Sequence, residues 1–133
     1  MKKNLLYALF FLFGFIVVSC SDDDNVEPAR YYVQYDVTFT TQHVNANREI
    51  KVATEKGIQT ISLENQAQTV TWSRTYGPVN KNFLTSIECS TPGYTYRSTI
   101  HAKISVSREK EPFVLKAENE GDHSVALSYK IDF

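Results

Sequence analysis

Residues 94–107 read Tyr-Thr-Tyr-Arg-Ser-Thr-Ile-His-Ala-Lys-Ile-Ser-Val-Ser, and this stretch decides the fold class. Every second position belongs to one set, Tyr94, Tyr96, Ser98, Ile100, Ala102, Ile104 and Val106, and the positions between them are polar. Side chains two residues apart share a face of a β-strand, whereas a helix repeats every 3.6 residues. The stretch therefore predicts a long strand with one buried face.

The same alternation recurs at both ends of the remaining sequence. Residues 31–40 place tyrosine, valine and phenylalanine at alternate positions, and residues 125–133 repeat the pattern, so we expect the chain to end inside a sheet. Shorter candidate strands cover residues 50–54, 58–63, 69–76, 82–90 and 113–117, which makes about eight. Ile58 and Ile61 are out of phase for one face, which predicts a bulge or a late strand start there.

Turn residues separate these strands at intervals of about a dozen residues. Gly77-Pro78 and Thr91-Pro92-Gly93 are the clearest turns. The pattern predicts an all-β domain, an antiparallel immunoglobulin-like β-sandwich of seven to eight strands, with a small β-barrel as the alternative. Trp72 is in phase with Val70, so we expect it in the core.

The N-terminus has a different character. Lys2 and Lys3 precede an apolar run over residues 5–18, which ends at Ser19 and Cys20. This arrangement resembles the lipobox signal peptide of bacterial lipoproteins. The resemblance implies cleavage before Cys20, lipid attachment at Cys20 and anchoring in a membrane through N-terminal acylation. The alternative is an uncleaved anchor, although the run is shorter than the about 20 apolar residues that span a bilayer.

Ser21, Asp22, Asp23 and Asp24 follow the cysteine directly. They resemble the export signal of lipoproteins in the Bacteroidota, which implies a protein of the cell envelope, lipid-anchored to the outer membrane and exposed on the cell surface. The alternatives are the periplasmic face and a merely solvated spacer. The sequence thus divides into a cleaved signal peptide at residues 1–19, an acidic tether at 20–29 and a sandwich domain at 30–133.

The domain carries a second resemblance, on residues 70–74, 82–84 and 100–104. These segments resemble the small β-sandwich lipoproteins of Bacteroidota and, more distantly, the MmpS-like accessory proteins of mycobacterial membranes. The resemblance implies an accessory or binding role in the envelope. Asn, Gln and charged residues replace the glycine-rich turns of such domains.

Charge and cysteine content exclude several function classes. Without Lys2 and Lys3 the chain has 12 basic and 15 acidic residues, scattered among one another. Nucleic-acid-binding domains gather basic residues on one face, so we expect no nucleic-acid partner. If Cys20 is acylated, Cys89 is the remaining thiol. It shares a strand face with Phe83, Thr85 and Ile87, which predicts a small buried side chain.

The sequence predicts no catalytic residue, metal site or cofactor. His43, His101 and His123 are far apart and form no metal-ligand pair, so we expect solvent-exposed imidazoles. The three aspartates of the tether lack the spacing of a calcium loop. A non-enzymatic protein is the preferred hypothesis, and a hydrolase whose site is assembled from distant residues remains an alternative.

Binding is the remaining class of function. Tyr32, Tyr76 and Tyr94 lie near predicted strand ends and loops, and they are the candidate ligand-binding residues. The other tyrosines in phase with aliphatic residues are expected to cap the core, and these are Tyr31, Tyr35, Tyr96 and Tyr129. The preferred hypothesis is an accessory domain that docks another envelope protein. The alternative is a surface module that binds a glycan or a host ligand.

Overall fold

The computed structural model describes residues 26–64 and 66–133. The predicted signal peptide, Cys20 and the Ser21, Asp22, Asp23 and Asp24 signal lie outside the described residues. Within them the chain forms eight strands and no helix. The strands are β1 (Tyr31–Thr41), β2 (Arg48–Thr54), β3 (Gly57–Leu63), β4 (Thr69–Val79), β5 (Leu84–Ser90), β6 (Ser98–Arg108), β7 (Val114–Gly121) and β8 (Ser124–Lys130).

The strands form two four-stranded sheets, ordered β4-β1-β6-β7 and β3-β2-β5-β8, and neighbouring strands are antiparallel. Neither sheet closes on itself, so the predicted sandwich is confirmed and the barrel alternative is wrong. No helix long and apolar enough to cross a bilayer occurs in the described part of the chain.

The core lies between the inner faces of the sheets. Alternate residues of β1 and β6 point inward, and the largest include Tyr35, Phe39, Ile100 and Ile104, all 0% exposed. The opposite sheet contributes its own alternate positions, among them Ile50, Val52, Ile87 and Cys89. Trp72 joins this cluster at 9% exposure, which confirms its predicted place in the core. The period-2 pattern was thus a reliable guide to the buried faces.

The long predicted strand starts later than expected. β6 begins at Ser98, so the prediction of strand over residues 94–97 is wrong, and Tyr96 is 55% exposed instead of buried. Gly93 adopts a left-handed conformation with φ of 71°, and the amide of Tyr94 bonds to the carbonyl of Thr91 at 3.2 Å. The turn occupies the Tyr94 amide, which a strand would need for pairing with its neighbour. Tyr94 and Tyr96 therefore lie in a loop, although they continue the alternation of β6.

The predicted turn at Gly77-Pro78 is also wrong, because β4 continues through both residues to Val79. The register of β4 with β1 shifts between Tyr31 and Val33. This shift accommodates the irregular backbone of β4 around Gly77 and Pro78. Gly77 has a φ of 138°, and a Cβ atom there would lie 2.8 Å from the carbonyl oxygen of Tyr31. Only glycine fits this close approach of two backbones.

Two smaller predictions also change. β3 pairs with β2 in one continuous register, so no bulge or late start is present; Ile58 faces outward and is 67% exposed. The last strand ends at Lys130, and the final three residues lie beyond the sheet. Ile131 is nevertheless buried and its amide donates to the carbonyl of Phe83 at 3.0 Å.

Candidate functional site

Three connections meet at one end of the sandwich. They are residues 42–47 between β1 and β2, residues 64–68 between β3 and β4, and residues 91–97 between β5 and β6. The antiparallel order explains the meeting, because the end of β1 lies beside the starts of β4 and β6. Backbone hydrogen bonds join the connections, from Thr41 to Gln68 at 2.8 Å and from Gln42 to Arg97 at 2.9 Å.

Two tyrosines and a histidine form an aromatic cluster on these loops. The rings of His43 and Tyr96 are 4.5 Å apart and nearly perpendicular, at 84°. The rings of Tyr94 and Tyr96 are 5.7 Å apart at 60°. Edge contacts of this kind hold aromatic rings in fixed relative orientations. Tyr96 is held by its neighbours and still exposes 55% of its surface.

The hydroxyl of Tyr94 connects two of the loops. It accepts a hydrogen bond of 2.7 Å from the backbone amide of His43, 51 residues earlier in the chain. Tyr94 is half-buried, so its ring lies deeper in the surface than the more exposed ring of Tyr96. The same hydrogen bond fixes the position of the His43 backbone relative to the Tyr94 ring.

These residues line a shallow cavity of ~580 Å³ that we call the loop groove. Its lining consists of Gln42, His43, Val44, Asn45, Gln68, Gly93, Tyr94, Thr95 and Tyr96. No carboxylate, lysine or arginine is among them. Amide and hydroxyl groups both donate and accept hydrogen bonds. The loop groove therefore offers flat aromatic surface together with uncharged polar groups.

A buried arginine supports the loops of the groove from the interior of the domain. Arg48, at the start of β2, is 2% exposed. Its guanidinium donates to the carbonyl of Ala46 at 3.1 Å, to Oγ1 of Thr41 at 2.9 Å and to the carbonyl of Ala67 at 2.6 Å. Burial lowers the pKa of Arg48, and the nearby Tyr94 phenol acts in the opposite direction. One side chain thus ties the loops 42–47 and 64–68 to β1.

A second depression continues from the loop groove across Gln42. It has a volume of ~630 Å³ and is lined by Thr40, Thr41, Gln42, Arg97, Ser98 and Thr99. Hydroxyl groups dominate this lining, and Arg97 is its charged member. Because Gln42 belongs to both linings, one extended ligand can touch both depressions.

The structure separates the three tyrosines that the sequence singled out. Tyr94 lies in the loop groove, whereas Tyr32 and Tyr76 lie near the other end of β1. The hydroxyl of Tyr76 donates to Oε1 of Gln59 at 2.9 Å, and its ring packs 6.0 Å from that of Tyr35. Tyr32 is half-buried on the outer face, over Gly77.

Sequence reasoning missed Tyr96, His43 and Arg48 as parts of one site. Tyr96 was expected in the core because it shares the phase of Ile100 and Val106. The sequence did contain one signal, the Thr91-Pro92-Gly93 turn directly before Tyr94. A turn at that place delays the start of the following strand beyond Tyr96. The pairing of Tyr96 with His43 had no local signal, because the two residues are distant in the sequence.

Apart from His43, which lines the loop groove, the histidines and Cys89 are not part of its lining. His43 and His123 are exposed, as expected, and His101 is 37% exposed with Nε2 at 3.3 Å from Oε2 of Glu118. Cys89 is 2% exposed, which confirms the prediction of burial, and burial raises the pKa of its thiol to about 12. Within residues 26–64 and 66–133, no group of three or more His, Cys, Asp or Glu could hold a metal ion.

A second surface feature lies at the start of β7, an edge strand, and includes the residue just before it. Phe113, Val114 and Leu115 are 41%, 52% and 47% exposed, and we call these three residues the edge patch. Glu118 and Glu120 are exposed further along the same strand. Edge strands present unpaired backbone groups that another strand can join.

Comparison of the chain with protein-family models, with curated proteins and with solved structures gives no match. The fold and the loop geometry therefore define the class, an antiparallel β-sandwich domain with an aromatic groove between loops at one end.

Proposed function

We propose that this protein is a lipid-anchored cell-envelope protein whose sandwich domain binds a ligand in the loop groove without transforming it. The anchor part of the proposal rests on Cys20 and its flanking residues. The binding part rests on one observation, that three rings and several uncharged polar side chains converge on loops held by Arg48. Loops at the end of a rigid sandwich are common sites of recognition.

The position of the loop groove relative to the tether supports this role. The tether leads into Tyr31 at the start of β1, and the loop groove begins just after Thr41 at its end. The 11 residues of β1 span about 33 Å at the usual rise of a strand. A domain anchored through Cys20 would thus hold the loop groove at its far end, away from the membrane surface.

The anchor is tested with the two cysteines of the chain. We expect Cys20→Ala to abolish incorporation of a metabolic fatty-acid label and to leave the precursor uncleaved. Cys89→Ala is the matched control, because Cys89 is buried in the sandwich, and it should label normally. Normal labelling of the Cys20→Ala protein would refute the anchor.

The binding role is tested by photocrosslinking in intact cells. A photoreactive benzoyl-phenylalanine replaces Tyr96 in one variant and Lys110 in the control. Lys110 is exposed in the loop between β6 and β7, at the tether end of the domain. We expect a specific adduct from position 96 and none from position 110. The absence of any adduct at position 96, or equal adducts at both, would contradict binding in the loop groove.

The orientation of the anchored domain is a separate question. Protease added to intact cells should digest a surface-exposed domain and spare a periplasmic marker protein. Protection of the domain while the marker also stays intact would support the periplasmic alternative, in which the ligand is itself a component of the envelope.

A second candidate function, docking of another envelope protein, is favoured by the edge patch. The occupant we propose is an extended segment that joins β7 as a further strand, with apolar residues opposite the edge patch and basic residues opposite Glu118 and Glu120. Val114→Lys should then prevent recovery of a stoichiometric partner from solubilised membranes. Ile58→Lys, a change on the edge strand β3, should not. Equal recovery with both variants would exclude the edge patch.

A further inference from the structure

We infer that the ligand of the loop groove is a neutral carbohydrate, with one sugar ring stacked on Tyr96 and the chain of sugars extending over Gln42. The inference rests on the proposed function and names the chemical class of its ligand. Three properties of the loop groove carry it: the exposed aromatic ring, the uncharged lining and the continuation into a second depression.

The first property is the ring of Tyr96. A pyranose presents a flat face of C–H groups, which makes dispersion contacts with an aromatic ring, and an equatorial rim of hydroxyls. Tyr96 is 55% exposed, and its ring is held by an edge contact with His43 and a tilted contact with Tyr94. A platform that is already ordered loses little conformational entropy when the sugar binds.

The second property is the polar part of the lining. Sugar hydroxyls donate and accept hydrogen bonds, and the side-chain amides of Gln42, Asn45 and Gln68 do both as well. The side chain of Gln68 is itself oriented, because Nε2 donates to the carbonyl of Gln42 at 2.9 Å. The lining of the loop groove holds no lysine or arginine, so a carboxylate or phosphate seated on Tyr96 would lose its hydration without gaining a permanent counter-charge there.

The same lining argues against a protein surface as the ligand of this groove. The centres of protein interfaces combine aromatic rings with further apolar area, whereas the rings of the loop groove are surrounded by amides and Val44 is its one aliphatic side chain. The depression beyond Gln42 presents the exposed hydroxyls of Thr40 and Thr99 to a further sugar unit, and Arg97 there can donate to its hydroxyls. The two depressions together indicate an oligosaccharide.

The test uses an array of neutral oligosaccharides, including glucose, galactose and mannose series, beside uronic-acid-containing ones. We expect binding to members of the neutral series and weaker binding to the acidic ones. Tyr96→Ala should then weaken binding of the best neutral probe about tenfold, which corresponds to about 1.4 kcal/mol, because the stacking surface is lost. Tyr96→Phe keeps the ring and should bind within about threefold of the wild type, as should the control Phe113→Ala, which removes a 41% exposed aromatic ring outside the loop groove.

The outcomes separate the inference from the proposed function. The claim that the ligand is a neutral carbohydrate would be refuted by a blank neutral array, by preferential binding of acidic sugars, or by equal binding of the Tyr96→Ala and wild-type proteins. A protein captured by photocrosslinking at position 96, with a blank array, would leave the proposed binding site standing and refute only its ligand class. No adduct and a blank array would refute both. Because Tyr96 is an exposed loop residue, Tyr96→Ala should keep the wild-type unfolding midpoint.

Discussion

The Nη2 atom of Arg48 donates a hydrogen bond of 2.6 Å to the carbonyl oxygen of Ala67, across 19 residues of sequence. The same nitrogen lies 2.9 Å from Oγ1 of Thr41, so one guanidinium joins the end of β1 to the connection between β3 and β4. An arginine can do this because its five donors have a fixed planar arrangement. The shape of the loop groove therefore depends on a buried side chain that is not part of its lining.

Replacement of Arg48 by methionine should destabilise the domain. Arg48→Met keeps an apolar stem and removes the donors to Thr41, Ala46 and Ala67. Hydrogen bonds that involve a charged group are worth about 1.5 to 3 kcal/mol, and the loops regain part of that from water, so we expect a net loss of about 2 to 3 kcal/mol. Urea unfolding measures it. The control Arg74→Met, at an exposed position of β4, should stay within about 0.5 kcal/mol of the wild type. Equal stabilities of the two variants would contradict the bracing role.

The second prediction concerns Gly77, where β1 and β4 approach closely. Alanine there places a Cβ atom 2.8 Å from the carbonyl oxygen of Tyr31, at a φ of 138°. We expect Gly77→Ala to lower the free energy of unfolding by about 3 kcal/mol, because both the contact and the backbone conformation are unfavourable.

Gly93→Ala provides the matched control for that prediction. Gly93 also has a positive φ, of 71°, but a Cβ atom there would meet nothing within 4 Å. The cost should be limited to the left-handed conformation, about 1 kcal/mol. The two variants are compared by thermal unfolding, and a Gly93→Ala protein as unstable as the Gly77→Ala protein would show that steric contact is not the cause.

The sequence predicted the buried faces because burial in a strand leaves a period of two. Val33, Tyr35 and Phe39 are on the inner face for the same reason that they alternate with polar residues. Ile58 is an exception to this relation between sequence period and burial. It is on an edge strand with little to cover it, so its apolar side chain carries no information about the core.

The candidate site was harder to predict, because it depends on loops brought together by topology. Tyr96 continues the alternation of β6 in the sequence, yet the turn at Gly93 takes it out of the sheet and against His43. Arg48 resembles any surface arginine until the strand order places Thr41 and Ala67 around it. Tertiary neighbours of this kind leave no periodic signal in a single sequence.

The third prediction is a loss of stability at alkaline pH. Burial raises the pKa of the Cys89 thiol to about 12, whereas an unfolded cysteine ionises near pH 8.5. The folded-state pKa is the higher one, so the stabilisation is complete below about pH 8.5 and is lost as the pH rises towards 12. We expect a decrease on the order of 1 to 2 kcal/mol between pH 8 and pH 10, measured by urea unfolding.

Cys89→Ala isolates this contribution. The variant starts from a lower stability, because it leaves a small cavity between the sheets, but its pH dependence between pH 8 and pH 10 should be flatter by the same amount. The raised pKa of the buried Tyr35 hydroxyl, which donates to the carbonyl of Ala53 at 2.7 Å, contributes in both proteins at higher pH. Parallel curves for the two proteins would exclude Cys89 as the source.

The last prediction addresses the order of the loops around the groove. The Tyr94 hydroxyl accepts the backbone amide of His43 at 2.7 Å, and Tyr94→Phe removes the acceptor while it keeps the ring. A hydrogen bond worth about 1 kcal/mol corresponds to about a fivefold change in a local opening equilibrium, so the His43 amide should exchange with deuterium about five times faster. Tyr96→Phe is the control, since it alters a neighbouring phenol without touching this bond, and it should leave the exchange of His43 unchanged. If instead the His43 amide exchanges equally in Tyr94→Phe and wild-type protein, the loops are ordered by Arg48 and the backbone bonds alone.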